Sequence, residues 1–195
     1  MQRMMVLAAS LTLLLGFAAS TGAQSKKAQS NPVAASPETT VYDAASALAF
    51  LKTTSGDWSS ASDQHEHGGT APGGNRSIVS VKTKAAGSAV VHTYAQGTPG
   101  EMETIFHMDG DQLLLTHYCA LQNAPVLKFV KTNNPGELKF EFLGGTNFDP
   151  KVDAHLHQST FLIKDKDTIE QSSTVFANGK ATPELKSLLH RKTSN

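Results

Sequence analysis

Residues 101–119 read EMETIFHMDGDQLLLTHYC. Apolar and polar residues alternate on both sides of Asp109-Gly110-Asp111, which is the signature of a β-hairpin. If Asp109-Gly110 forms a two-residue turn, Met108 pairs with Asp111, Phe106 faces Leu113, Thr104 faces Leu115 and Met102 faces His117. Side chains alternate along a strand, so Met102, Thr104, Phe106 and Met108 then share a face with Leu113, Leu115, His117 and Cys119. That face is the more apolar one and is predicted to point inward, leaving Glu101, Glu103, His107, Thr116 and Tyr118 outside. A three-residue loop would instead bring His107 and Glu103 onto the His117 face.

The same period of two runs outward from this hairpin. Strands are predicted at about 57–65, 76–84, 88–96, 101–108, 112–119, 126–132, 137–143, 153–163 and 167–177. Turn residues separate them: Ala85-Ala86-Gly87, Asn133-Asn134-Pro135-Gly136, Lys164-Asp165-Lys166-Asp167 and Asn178-Gly179. Short hairpins in series predict an antiparallel up-and-down barrel of about nine to ten strands, which removes exposed edges by closing. A short helix is predicted before the strands. Ser36-Pro37-Glu38 suits a helix start, Thr40 and Asp43 make a second capping candidate, and Val41, Ala44, Ala45, Leu48 and Leu51 recur at helical spacing. A short C-terminal helix, Pro183 to about His190, is expected from Leu185, Leu188 and Leu189.

The 195 residues carry 17 basic and 17 acidic side chains and are 39% hydrophobic. A neutral chain lacks the basic footprint of a nucleic-acid binder. Residues 1–23 combine Arg3, an apolar run from Val6 to Ala19 and small residues at Thr21-Gly22-Ala23, the pattern of a cleaved signal peptide. The run is too short to span a bilayer, and no membrane span is expected after cleavage. The expected destination is the periplasm or the extracellular medium. Removing Arg3 leaves 16 basic against 17 acidic residues. Residues 24–37 read as a flexible linker and 38–192 as the barrel domain. Cys119 is the one cysteine, which excludes an internal disulfide and leaves burial, a bound partner or pairing between chains.

Three short motifs place candidate ligands two residues apart: His65-Glu66-His67, His117-Tyr118-Cys119 and His155-Leu156-His157. Residues i and i+2 share a strand face, so each pair suits one metal ion, and imidazole with thiolate is the donor set of zinc and copper. Inward His117 and Cys119 would meet His155 and His157 across a small lumen as a four-ligand site. Haem ligated by His155 or His157 is a further alternative. A nucleophile pair of Cys119 with His155 or His157 is the one catalytic arrangement on offer. No serine elbow, Cys-x-x-Cys, His-Glu-x-x-His or phosphate loop is present, so an enzyme is the less favoured reading.

A helix ending just before Gly56-Asp57-Trp58, followed by a serial antiparallel meander, resembles the lipocalin-like (calycin) barrels, whose Gly-x-Trp opens the first strand with the Trp at the closed end. The resemblance implies a basic residue over that Trp, for which Lys164 and Arg191 are candidates. Glu101-Met102-x-Thr104-x-Phe106-His107-x-Asp109-Gly110-Asp111, Leu115 through Ala120, Asn123-x-Pro125, His155-Leu156-His157 and Asn178-Gly179-Lys180 together resemble a group of exported bacterial lipocalin-like proteins of undefined activity. That group usually has Asn-Gln-Pro where this chain has Asn123-Ala124-Pro125. The chain also resembles the haem-binding nitrobindins, but Ser59-Ser60-Ala61-Ser62 follows Trp58 where they carry glycines, which come here only at Gly68-Gly69 and Gly73-Gly74.

The expectation from these readings is a small-molecule-binding barrel. Met102, Thr104, Phe106, His117, Cys119, His155 and His157 are its predicted lining, and the ligand is expected to be apolar or amphipathic. The alternative is a zinc, copper or haem site built from His117, Cys119, His155 and His157.

Overall fold

The computed structural model describes residues 35–60 and 78–193. The expected signal peptide, most of the expected linker and His65-Glu66-His67 lie outside the described residues. A 3-10 turn at Pro37–Thr39 precedes helix α1, Ala44–Thr53. Eleven strands follow: β1 Gly56–Ser60, β2 Ile78–Lys84, β3 Ala89–Tyr94, β4 Met102–Asp109, β5 Gln112–Tyr118, β6 Ala124–Val130, β7 Glu137–Thr146, β8 His155–Asp165, β9 Thr168–Ala177, β10 Lys180–Ala181 and β11 Leu185–Arg191. Each strand from β1 to β9 pairs antiparallel with the next, β9 pairs with β11, and β11 returns to β1. The result is a closed ten-strand antiparallel barrel, with β10 a two-residue extension alongside the end of β9. Among the described residues no helix is long and apolar enough to cross a membrane.

The expected C-terminal helix is not formed; residues 185–191 are β11. Leu185, Ser187 and Leu189 pair with Ser173, Gln171 and Ile169 of β9, and the other edge of β11 pairs with β1. A helix would have left the edges of β1 and β9 open, and closing the ring satisfies both rows of backbone groups. Leu185 and Leu189 share a face at either period and only Leu188 favours the helix, so pairing decided the outcome.

Helix α1 begins later than its apolar spacing suggested. The Thr39-Thr40-Val41 run is β-branched and poorly suited to a helix. Asp43 is the cap instead: its carboxylate accepts the Ser46 N–H at 2.8 Å, while Ser46 Oγ accepts the Asp43 N–H at 2.9 Å. Val41 stays exposed, and the buried stripe is Ala47, Leu48 and Leu51. The turn before the helix is held by Gly136, whose N–H donates to the Thr40 carbonyl and whose carbonyl accepts from Ile163, both at 2.8 Å. Gly136 has φ +75°, and a Cβ there would lie 2.9 Å from the Ile163 carbonyl oxygen, so a side chain is excluded on both counts.

One end of the barrel is sealed around Trp58, which is 1% exposed. Its indole N–H donates to the Thr54 carbonyl at 2.8 Å, and the Arg191 guanidinium lies 4.4 Å from its ring centre. Of the two basic candidates, Arg191 therefore takes this position, while Lys164 pairs with Glu170 at 3.4 Å. Arg191 also donates to the carbonyls of Ser55 at 3.0 Å and Thr53 at 3.3 Å, which the end of α1 leaves without helical partners. A further contact to Asp167 at 3.1 Å adds little, because that carboxylate is exposed. Arg191→Ala is expected to lower stability by about 2 kcal/mol in urea unfolding. Arg191→Lys should recover less than half, because an ammonium cannot bridge two carbonyls and stack at once.

Above the seal, midway along the strands, Phe106, Phe140, Phe161 and His92 form an aromatic layer with ring centres 4.8 to 6.2 Å apart. This layer divides the sealed end from a cavity that opens at the other end.

Candidate functional site

The β4–β5 hairpin sets one wall of the cavity. Its turn is Gly110-Asp111, so Asp109 pairs with Gln112, Met108 with Leu113, Phe106 with Leu115 and Thr104 with His117. Gly110 adopts φ +59° at the first central position, where a II′-type turn needs a glycine. The register differs from the expected one by two residues. A shift of two preserves every side chain's face, so Met102, Thr104, Phe106, Leu113, Leu115 and His117 are all buried. Thr104 Oγ1 and His117 Nδ1 are hydrogen-bonded at 2.8 Å, a buried polar pair on an otherwise apolar wall.

The cavity leaves room of about 80 Å³ for the centres of water-sized molecules and opens to solvent at its mouth. Met102, Thr104, Leu115 and His117 line it from β4 and β5, and Leu156, Ser159 and Phe161 line it from β8. Gln171 and Ser173 of β9, Ser187 and Leu189 of β11, Ser60 of β1, Val79 of β2 and Tyr94 of β3 with the following Ala95 complete its sides. Among the described residues the lining contains no Asp, Glu, Lys or Arg. Phe106 does not line it and belongs to the aromatic floor beneath.

The remaining expected residues are placed elsewhere. Cys119 follows the end of β5 in a rim turn, where its N–H donates to the Asn123 carbonyl at 3.0 Å and its carbonyl accepts from Gln122 at 2.9 Å. It lines a shallow outer groove with Glu101, Glu103 and Tyr118 and not the lumen. Burial pushes its thiol up from the usual value, opposed by the neighbouring Ala120 and Leu121 N–H groups, so the protonated form is favoured. Among the described residues no histidine is hydrogen-bonded to it. Asn123 anchors this turn by donating to the Ala154 carbonyl at 2.8 Å.

His155 and His157 are separated from His117 by a β-bulge. Pairing to β9 shifts between Leu156 and Gln158, leaving His157 as the extra residue. Leu156 takes the lumen position, and neither histidine lines the cavity. Both enter a cluster of aromatic rings instead. His157 stacks on Phe176 at 3.8 Å and Phe142 at 4.9 Å, and His155 lies 4.8 Å from Phe148. His155 Nδ1 is 2.9 Å from the Asp153 carbonyl and must donate to it. In the neutral ring its Nε2 then accepts from His157 Nδ1 at 3.2 Å. Both nitrogens of His155 are thereby used, and neither is left to ligate a metal. Desolvation, then the charge of His155, lowers the pKa of His157, opposed by Glu141. Among the described residues no three His, Cys, Asp or Glu side chains come together to hold a metal. The four-ligand set of His117, Cys119, His155 and His157 is not assembled, and Cys119 is not hydrogen-bonded to His155 or His157.

Three features of the site were not singled out in the sequence. His92, fully buried, leans on Phe106 with ring centres 4.8 Å apart, and its Nδ1 is 3.4 Å from Tyr94 Oη. Tyr94 Oη in turn meets the Gln171 amide at 3.2 Å. Ser159, Ser173 and Ser187 form the third feature, a wall of small hydroxyls facing the lumen. Alternation within β8 and β9 was the available signal for the serines, but it is interrupted by bulges.

No family model matches the chain, and no curated protein sequence matches it.

Proposed function

We propose that this chain is an exported barrel that holds a small apolar or amphipathic molecule in its lumen. The observation that supports it best is the open-mouthed cavity above the aromatic floor, with apolar side chains from Met102, Leu115 and Leu156 beside neutral polar groups. A mainly apolar lining with a few neutral polar groups suits small organic ligands. The Thr104–His117 pair is the polar anchor on the β4–β5 wall. Export rests on Arg3, the apolar run from Val6 to Ala19 and Thr21-Gly22-Ala23, with the periplasm or the medium as destination. A lipocalin-like relationship belongs to the same proposal, supported by the serial meander, the helix at the sealed end and Arg191 over Trp58.

The test uses N-phenyl-1-naphthylamine, an uncharged dye that brightens in apolar surroundings. The wild-type protein is expected to bind it. Ser187→Trp, which places an indole in the cavity, is expected to weaken binding at least about tenfold. Its urea midpoint should stay near that of the wild type, since the ring enters empty space. Absence of dye binding, or equal binding by a folded Ser187→Trp protein, would overturn the lumen assignment.

A further inference from the structure

The side of the cavity formed by β8, β9 and β11 carries a run of neutral hydrogen-bonding side chains, Ser159, Gln171, Ser173 and Ser187. Ser159 pairs directly with Ser173, and Ser187 pairs with Gln171 on the neighbouring strands. Ser159 is 2% exposed and Ser173 4% exposed, and both line the cavity with Ser187. The cavity opens to solvent, so these hydroxyls are within reach of water or of an occupant that replaces it. The small size of serine also leaves this wall recessed, giving an occupant room to lie against it.

We propose that the ligand is uncharged and sets an edge of two or more oxygen atoms against the wall of Ser159, Ser173 and Ser187; the proposal rests on the lumen reading above. A serine hydroxyl both donates and accepts, so alcohol and ester oxygens are matched. Gln171 adds an amide held against Tyr94 Oη. The described lining offers no ammonium or guanidinium to a carboxylate and no carboxylate to a cation. A charged headgroup would therefore be desolvated without a counter-charge, which is far more costly than burying a neutral one. The apolar body of the ligand would lie against Met102, Leu115 and Leu156 on the facing sides.

Displacement of N-phenyl-1-naphthylamine by 1-decanoylglycerol and by decanoate at pH 8 tests this. The two share an acyl chain and differ in headgroup charge and oxygen edge. In the wild-type protein the glycerol ester is expected to displace the dye at a concentration roughly tenfold or more below that of decanoate. The double substitution Ser159→Ala with Ser173→Ala is expected to weaken the glycerol ester about tenfold and to leave decanoate unchanged. Equal competition in the wild type overturns the proposal, as does a preference that survives in the double variant. Dye binding that neither compound displaces also overturns it while sparing the lumen reading, whereas absence of dye binding sinks both. If the double variant does not fold, the wild-type ratio decides alone.

Discussion

Phe106→Ala is expected to destabilise the protein by about 3–5 kcal/mol, the range for removing a fully buried aromatic ring. Phe106 is 0% exposed and makes edge contacts with Phe140 at 5.5 Å and Phe161 at 5.8 Å, besides resting on His92. It therefore joins four strands, β3, β4, β7 and β8, at the level where the sealed end meets the cavity. Removing the ring takes contacts from three aromatic neighbours at once and leaves a void that strands fixed in a closed ring cannot collapse to fill. A domain of ordinary stability, about 5–15 kcal/mol, would lose a large share of its margin. Phe106→Leu, which keeps most of the volume, should cost less than half as much. Urea unfolding monitored through Trp58 measures both. A loss below about 1 kcal/mol for the alanine variant would mean that the layer is not the mechanical floor of the cavity.

The wall around Phe106 was legible in the sequence even though its register was not. The β4–β5 turn sits one residue from its expected place, which shifts the pairing register by two, and every inward residue stayed inward because the strand period is two. A one-residue irregularity is less forgiving. β8 carries two: pairing with β9 shifts between Ile163 and Asp165 and again between Leu156 and Gln158. The first sets Ile163 opposite Ile169 and Ser159 opposite Ser173; the second puts Leu156 where a histidine was expected. Nothing local in His155-Leu156-His157 announces a bulge, since the extra residue is defined by the partner strand. That bulge keeps His155 and His157 from the lumen, as the rim turn after β5 keeps Cys119 from it, while the lining by Met102, Thr104 and His117 did not depend on β8 at all. The closing strand was hidden by a related non-local cause: Leu185 to Arg191 becomes a strand because β1 and β9 each present an open edge to it.

His92 is the residue through which pH should act on this fold. Burial holds its pKa at about 3, against 6.5 for the free side chain. Its Nε2 has no hydrogen-bond partner, and aromatic rings surround it. The favoured neutral form carries its proton on Nδ1, toward Tyr94 Oη, because an orphaned acceptor costs less there than an orphaned N–H donor. Between these two pKa values the unfolded chain binds a proton at this position that the folded chain does not. Stability is thus unaffected above pH 6.5 and falls as the pH drops from 6.5 toward 3, by about 1.4 kcal/mol per unit at most. The full loss is on the order of 5 kcal/mol, comparable with the whole margin of many domains. His92→Phe should remove this slope while fitting among Phe106 and Phe161, and at pH 8 it should be neutral or slightly stabilising because an unsatisfied polar atom is deleted. The variant will retain a smaller slope from His157, whose pKa is also lowered, and from the carboxylates of Asp43, Asp167 and Glu184, whose lowered pKa values withdraw stability nearer pH 4. The quantity to measure is the difference in unfolding free energy between wild type and His92→Phe across pH 4 to 8. A difference that grows steadily below pH 6.5 is expected, and one that stays flat would mean that the folded protein accepts a proton at His92 as readily as the unfolded chain does.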